Sequence, residues 1–218
     1  MSLLEFRNVS FKNDDELIIN NLSLGVEQGA FVSIVGPSGS GKSTFLKLCS
    51  HLCSPNSGGI FFKGKNLMEY NPMNIRKSIC YCFQSPYLFG RTVMDNLVFP
   101  YKIRNKTTDM NRIKELFSLF NMNEDFMNKE ITNLSGGEKQ RIALIRSLTF
   151  KPEILLLDEV TSALDIENAR IVENVINTLN KEGITILWIT HNPEQSRKYA
   201  NQIMTIENGS LKSLEVLK

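Results

Sequence analysis

Residues 36–44 read Gly36-Pro37-Ser38-Gly39-Ser40-Gly41-Lys42-Ser43-Thr44, a G-x-x-x-x-G-K-[ST] phosphate loop without a mismatch. No other stretch narrows the fold as far. The apolar run Phe31-Val32-Ser33-Ile34-Val35 before it reads as a buried strand, and a helical period follows it. Glycines let the backbone wrap closely enough to aim successive N–H groups at phosphate oxygens, at the positive end of a helix. Lys42 reaches the β- and γ-phosphates, and the Ser43 hydroxyl is the expected Mg²⁺ ligand. These residue types in this order point to binding of a nucleoside triphosphate.

A second stretch supplies acids. Leu155-Leu156-Leu157-Asp158-Glu159 ends an apolar strand with two carboxylates, at the edge of an α/β sheet where ligands bind. Asp158 is the expected holder of Mg²⁺, directly or through water, and Glu159 the expected acceptor of a proton from the attacking water. A third stretch, Leu134-Ser135-Gly136-Gly137-Glu138-Lys139-Gln140-Arg141, has Ser135 as an N-cap with Glu138 three residues on, a capping box. A well-capped helix accounts for that much. Two glycines after the cap disfavour a helix, however, unless something must approach the backbone, and an anion at that N-terminus would explain them.

Elsewhere the pattern alternates. Strands are predicted at Leu3–Val9, Leu17–Leu24, Ile60–Phe62, Ile79–Phe83, Ile154–Leu157 and Ile184–Ile189. Helices are predicted from Thr44 to Leu52, ended by Pro55 and Gly58-Gly59, and near Glu167–Leu179. Residues 92–149 read as mostly helical. Ile113, Leu116, Phe117 and Phe120 share one face there; Ile142, Ile145 and Leu148 point inward, and Arg141 and Arg146 outward. Asn208-Gly209 is a favoured type I′ hairpin turn. Strands alternating with helices imply a largely parallel sheet, interrupted by a helical insertion.

Composition excludes several classes. A net charge of +2 over 218 residues gives no field for nucleic acid or anionic membrane. No apolar run approaches the roughly 20 residues of a membrane span, and the N-terminus lacks a signal-peptide pattern. Cys49 and Cys53 would share a helix face, Cys80 and Cys82 a strand face. Reduced thiols packed in a cytosolic protein are the expectation, since structural zinc sites show tighter pairs in loops.

In their joint order, the phosphate loop, Gln84, Leu134–Glu138, Leu155–Glu159, Ser162-Ala163-Leu164-Asp165 and His191 resemble an ATP-binding-cassette (ABC) ATPase over essentially the whole chain. The resemblance implies an α/β P-loop NTPase fold. It has a largely parallel core sheet and an antiparallel β subdomain (1–84 and 150–218), and a mainly helical signature subdomain (85–149). It implies a head-to-tail homodimer with two ATP molecules, each between one phosphate loop and the other subunit's Ser135, Gly136 and Gly137. Gln84 would sense Mg²⁺ and the attacking water. His191 would hydrogen-bond the γ-phosphate and position Glu159, and Asp165 would line the dimer seam. The family usually stacks an aromatic residue on adenine near position 13. Here that residue is Asn13, with Phe11 close by to stack instead.

The run Tyr81 to Gly90, then Asp95-Asn96-Leu97 to Ile103-Arg104-Asn105, and Leu187–His191 look like the ATP-binding subunit of bacterial Fet-type (YbbL-like) transporters, described as iron exporters. On that likeness a separate polytopic permease docks near Gln84–Arg104, and the chain sits peripherally on the cytoplasmic face of the inner membrane, soluble when expressed alone. The short stretch after Gly209 leaves no room for a regulatory domain. An importer subunit, or a non-transport module moving a membrane partner, is the alternative. Soluble repair or ribosomal cassettes need a coiled-coil insertion or a second cassette, and neither is present.

Overall fold

In the computed structural model, residues 2–217 are described. The chain divides into two units. The first takes in the residues up to Tyr81, Pro152–Glu159 and the chain from Asn180 onward; the second takes in Cys82–Lys151 and Val160–Leu179.

Two sheets build the first unit. Strands β1 (Leu4–Asn13), β2 (Glu16–Val26), β4 (Ser57–Phe62) and β5 (Lys65–Asn66) form an antiparallel sheet in the order β2-β1-β4-β5. Strands β3 (Phe31–Val35), β6 (Ile79–Cys82), β7 (Ile154–Asp158), β8 (Thr185–Ile189), β9 (Gln202–Glu207) and β10 (Ser210–Val216) form the other, ordered β10-β9-β3-β8-β7-β6. β9, β3, β8 and β7 run parallel, and β10 returns antiparallel to β9. Every residue of β7 and β8 is buried, which is why both read as mainly apolar runs rather than alternating ones. The β9–β10 hairpin turns at Asn208 (φ 48°) and Gly209 (φ 74°), the predicted type I′ geometry.

Helix α1 (Lys42–Cys49) follows the phosphate loop and shares one core with both sheets. Its Phe45 ring lies 4.8 Å from that of Phe6 in β1, and Leu46 and Leu48 belong to the cluster that includes Ile34, Leu156, Leu187 and Ile189. Burying a side chain such as Phe45 contributes about 1.5–3 kcal/mol. The helix stops earlier than the predicted Leu52. His51 adopts φ 53°, and the Leu52 N–H closes on the Lys47 carbonyl at 2.9 Å, a left-handed helix end set before Pro55 is reached. Cys53 therefore lies beyond the helix and does not share a helical face with Cys49. All four cysteines are free thiols, with Cys49 and Cys82 buried. Two short helices went unpredicted: α2 (Pro72–Ser78), capped by Asn71, and α7 (Pro193–Lys198), capped by Asn192.

The second unit contains α3 (Val93–Lys102), α4 (Met110–Leu119), α5 (Gly136–Leu148) and most of α6 (Ile166–Lys181). Ile113, Leu116, Phe117 and Phe120 are fully buried, as are Ile142 and Ile145, matching the predicted faces. The arginines do not point away from the protein. Arg146 is half-buried, donates to Asn96 Oδ1 at 3.0 Å and covers the Phe89 ring, while Arg141 donates to the Phe120 carbonyl at 3.2 Å. Long guanidinium side chains can lie along an apolar surface and still reach a polar partner, so helical periodicity alone misassigned them.

Candidate active site

Three neighbouring parallel strands deliver the site to one edge. β8 lies between β3 and β7, with Ile34 opposite Ile189 and Asp158 opposite Ile189. The phosphate loop leaves β3, Glu159 leaves β7, and His191 leaves β8, all past the carboxyl ends. This is where an open α/β sheet binds ligands.

The loop is held tightly against the sheet. A Cβ on Gly36 (φ 144°) would stand 2.0 Å from the Ile206 carbonyl oxygen, so only glycine fits. Gly41, the N-cap of α1, gives no side-chain cap, and no acid occupies the first turn. The positive end of α1 is thus not neutralised from within. The Ser40 hydroxyl is buried in the loop with no hydrogen-bond partner among the described residues. Such orphaned buried groups are rare in native proteins, and an anion cradled by the loop would satisfy this one.

Lys42 is only 6% exposed, and its Nζ donates to the carbonyls of Gly36 at 2.9 Å and Pro37 at 2.7 Å. Burial holds its ammonium below the usual lysine range, and the charges of Glu159 and Asp158 pull it partly back. Asp158 is equally buried and takes a hydroxyl on each oxygen. Ser43 Oγ donates to Oδ1 at 3.1 Å, and the Tyr81 hydroxyl donates to Oδ2 at 2.6 Å. Ser43 and Asp158 present hard oxygen donors side by side at a helix N-terminus, a set that suits Mg²⁺.

Glu159 has φ 48°, a left-handed backbone that a non-glycine residue adopts at a cost of about 1–3 kcal/mol. Its N–H donates to the Ile189 carbonyl at 3.1 Å, which anchors the strained turn to β8. The side chain, 17% exposed, meets His191 Nε2 at 2.7 Å through Oε1, and His191 is 54% exposed. One carboxylate is therefore buried against hydroxyls, while the next is oriented by an imidazole open to solvent.

The remaining predicted residues fall as follows. Phe11, in β1, is half-buried against the core of the first unit, and Asn13 is exposed. Thr44 is half-buried in α1, while Pro37, Ser38 and Gly39 lie at the loop crest, all three exposed. Gln84, Ser135, Gly136, Gly137 and Asp165 belong to the second unit. The capping box at Ser135 is present in both directions: the Glu138 N–H donates to Ser135 Oγ at 3.2 Å, and the Ser135 N–H to Glu138 Oε2 at 2.7 Å. Gly136 is exposed, and a Cβ there would touch nothing within 4 Å, so internal packing does not explain this glycine. A Cβ on Gly137 would stand 3.4 Å from Leu164, in ordinary contact. Asp165 takes the Asn168 N–H at 2.8 Å and the Asn168 amide at 2.6 Å, which hold its carboxyl below the usual range. Tyr81 was missed by the sequence reading. An aromatic residue in a strand reads as packing, and only the pairing of β6 beside β7 reveals its hydroxyl partner.

Comparison with known proteins agrees with this geometry. The ABC transporter family model matches residues 19–162. The chain is 42% identical, over 94% of its own length and 91% of the relative's, to "Probable iron export ATP-binding protein FetA" of Escherichia coli (strain K12). It is 34% identical over 98% of its length to the spermidine/putrescine import ATP-binding protein PotA of Mycoplasma mycoides, and spans 61% of that relative. Among solved structures, it superposes on a dimeric post-hydrolysis state of the ATP-binding cassette MJ0796 bound to ADP and Pi. The TM-score is 0.88, with 29% identity and 99% of each chain covered.

Proposed function

The chain belongs to the ABC transporter family as an ATP-hydrolysing subunit, and we propose that it drives a separate polytopic permease through ATP-dependent dimerisation. The observation that carries the catalytic reading is the convergence of Lys42, Ser43, Asp158, Glu159 and His191 at one sheet edge.

In this reading the loop N–H groups and Lys42 bind the β- and γ-phosphates, and Phe11 stacks on the adenine. Ser43 and Asp158 hold Mg²⁺. Bound there, Mg²⁺ neutralises phosphate charge. Glu159 accepts the proton of the attacking water, and His191 fixes its carboxylate and hydrogen-bonds the γ-phosphate. Ser135, Gly136 and Gly137 of one subunit close on the ATP held by the other, with Asp165 along the seam. A two-fold arrangement of this kind closes on itself.

The permease docks on the segment from Gln84 to Arg104. That stretch exposes Tyr87 (75% exposed), Phe99 and Ile103, and Phe83 just before it is exposed too, more apolar surface than a solvated loop needs. Among the described residues no helix is long and apolar enough to cross a membrane, so the spans come from the partner. The chain then works peripherally at the cytoplasmic face. Iron, or another metal ion, is the proposed cargo, supported by the 42% identity to the iron-export relative. The likeness to a polyamine-import subunit supports solute uptake as the second reading.

Affinity capture from detergent-solubilised host membranes separates the two, using the tagged Glu159→Gln chain trapped with ATP. Recovery of a polytopic permease alone, which then exports metal ions in vesicles, is the expected result. Recovery of a permease with an extracellular solute-binding protein would replace export with import.

A further inference from the structure

Both oxygens of Asp158 are held by hydroxyls, but the two hydroxyls differ in kind. Ser43 belongs to the phosphate loop and helix α1, and its 3.1 Å bond to Oδ1 is long for an O–H donor. Tyr81 belongs to β6, the edge strand beside β7, and its 2.6 Å bond to Oδ2 lies in the short range of charge-assisted O–H···O⁻ contacts. The Tyr81 ring is half-buried and packs on the main core cluster, so the hydroxyl is delivered from a fixed position. Asp158 itself is buried at the end of β7.

A carboxylate turns readily about its terminal torsion, which has a broad, shallow profile. With Oδ2 tied to Tyr81, that torsion is fixed and Oδ1 faces Ser43 and the phosphate loop. We infer that Tyr81 is a positioning residue for the metal site, holding the Asp158 carboxylate in the orientation that receives the divalent cation of the nucleotide. The inference rests on the assignment of Ser43 and Asp158 to that cation under the proposed function. Under this assignment Tyr81 is not itself a metal ligand; it acts through Asp158. Its effect is on metal affinity, because partners that orient a metal ligand set how well the ligand presents itself. Their loss typically weakens metal binding about 10–100-fold. The lower end applies here, since Asp158 keeps its second hydroxyl partner.

The test uses the full chain and Tyr81→Phe, which removes one oxygen and keeps the ring. Mn²⁺ binding to the ADP-loaded protein is followed by electron paramagnetic resonance, and ADP binding is measured separately in the presence of a chelator. Asp158→Asn is run beside it. The expected result is an Mn²⁺ dissociation constant raised about ten-fold in Tyr81→Phe, with metal-free ADP affinity unchanged and Mn²⁺ binding lost in Asp158→Asn. A purely structural hydroxyl would lower the melting temperature of Tyr81→Phe and leave Mn²⁺ affinity at the parent value; that outcome overturns the inference. If Asp158→Asn also binds Mn²⁺ like the parent, the metal assignment itself falls, and this inference with it.

Discussion

His191 Nε2 lies 2.7 Å from Glu159 Oε1, across the ends of two strands that run parallel and adjacent. The pair joins a carboxylate on a strained turn to an imidazole more than half exposed. A carboxylate fixed in this way is oriented before any water arrives, as the proposed base requires. His191→Ala should therefore lower kcat by roughly 10²-fold or more, the scale of a disabled acid–base pair, with ATP affinity little changed. Steady-state hydrolysis and equilibrium nucleotide binding on the same preparation check this. A matched loss of both would assign His191 to binding.

Lys42 carries a conflict between function and stability. Its ammonium is buried and held below the ordinary lysine pKa of 10.5. The unfolded chain thus keeps that proton to higher pH than the folded one. Below the folded pKa the charged group costs stability, and the cost is relieved as pH rises from the folded pKa toward 10.5. Lys42→Met should abolish nucleotide binding while leaving the neutral-pH melting temperature equal or higher. It should also flatten the rise in stability between the folded pKa and the unfolded one. Calorimetry across alkaline pH, with nucleotide titration, tests both halves.

Asn96 fastens the segment after Gln84 from within the second unit. Its side chain takes the Phe89 N–H at 3.1 Å, gives a hydrogen bond to the Phe89 carbonyl at 2.8 Å, and receives Arg146 at 3.0 Å. Asn96→Ala removes the side-chain partner of the Phe89 N–H and carbonyl and one hydrogen bond of Arg146, at a cost of about 2–3 kcal/mol. Urea denaturation should report that loss. A change under about 0.5 kcal/mol would mean water replaces the amide without penalty.

Ser135→Arg tests action in trans. Ser135 and Gly136 are exposed, and the capping box uses only one carboxylate and one hydroxyl of the chain's own. An arginine there should leave ATP binding to the isolated chain intact and abolish turnover, as read by fluorescent-nucleotide titration and phosphate release. Loss of binding in the isolated chain would place Ser135 at its own phosphate loop.

Much of this site was legible because its chemistry is local. The phosphate loop, the acids ending β7 and the capping box at Ser135 each occupy one continuous stretch, and the strand β3 matched its predicted bounds residue for residue. The Asn208-Gly209 turn was legible for the same reason. What escaped depends on contacts distant in sequence. Tyr81 meets Asp158 across 77 residues, and Arg146 meets Asn96 across 50. No periodicity encodes such pairs. The early end of α1 came from a left-handed histidine, a residue that carries little helix-stop signal beside glycine or proline.

The most direct test of the account is the mass of the Glu159→Gln chain in solution with saturating ATP and Mg²⁺, by size-exclusion chromatography with light scattering. With the proposed base removed, hydrolysis should stop and binding should remain intact, so the chain should run as a dimer with ATP and as a monomer without it. A chain that stays monomeric with ATP bound would contradict the paired mechanism, whatever its residual activity.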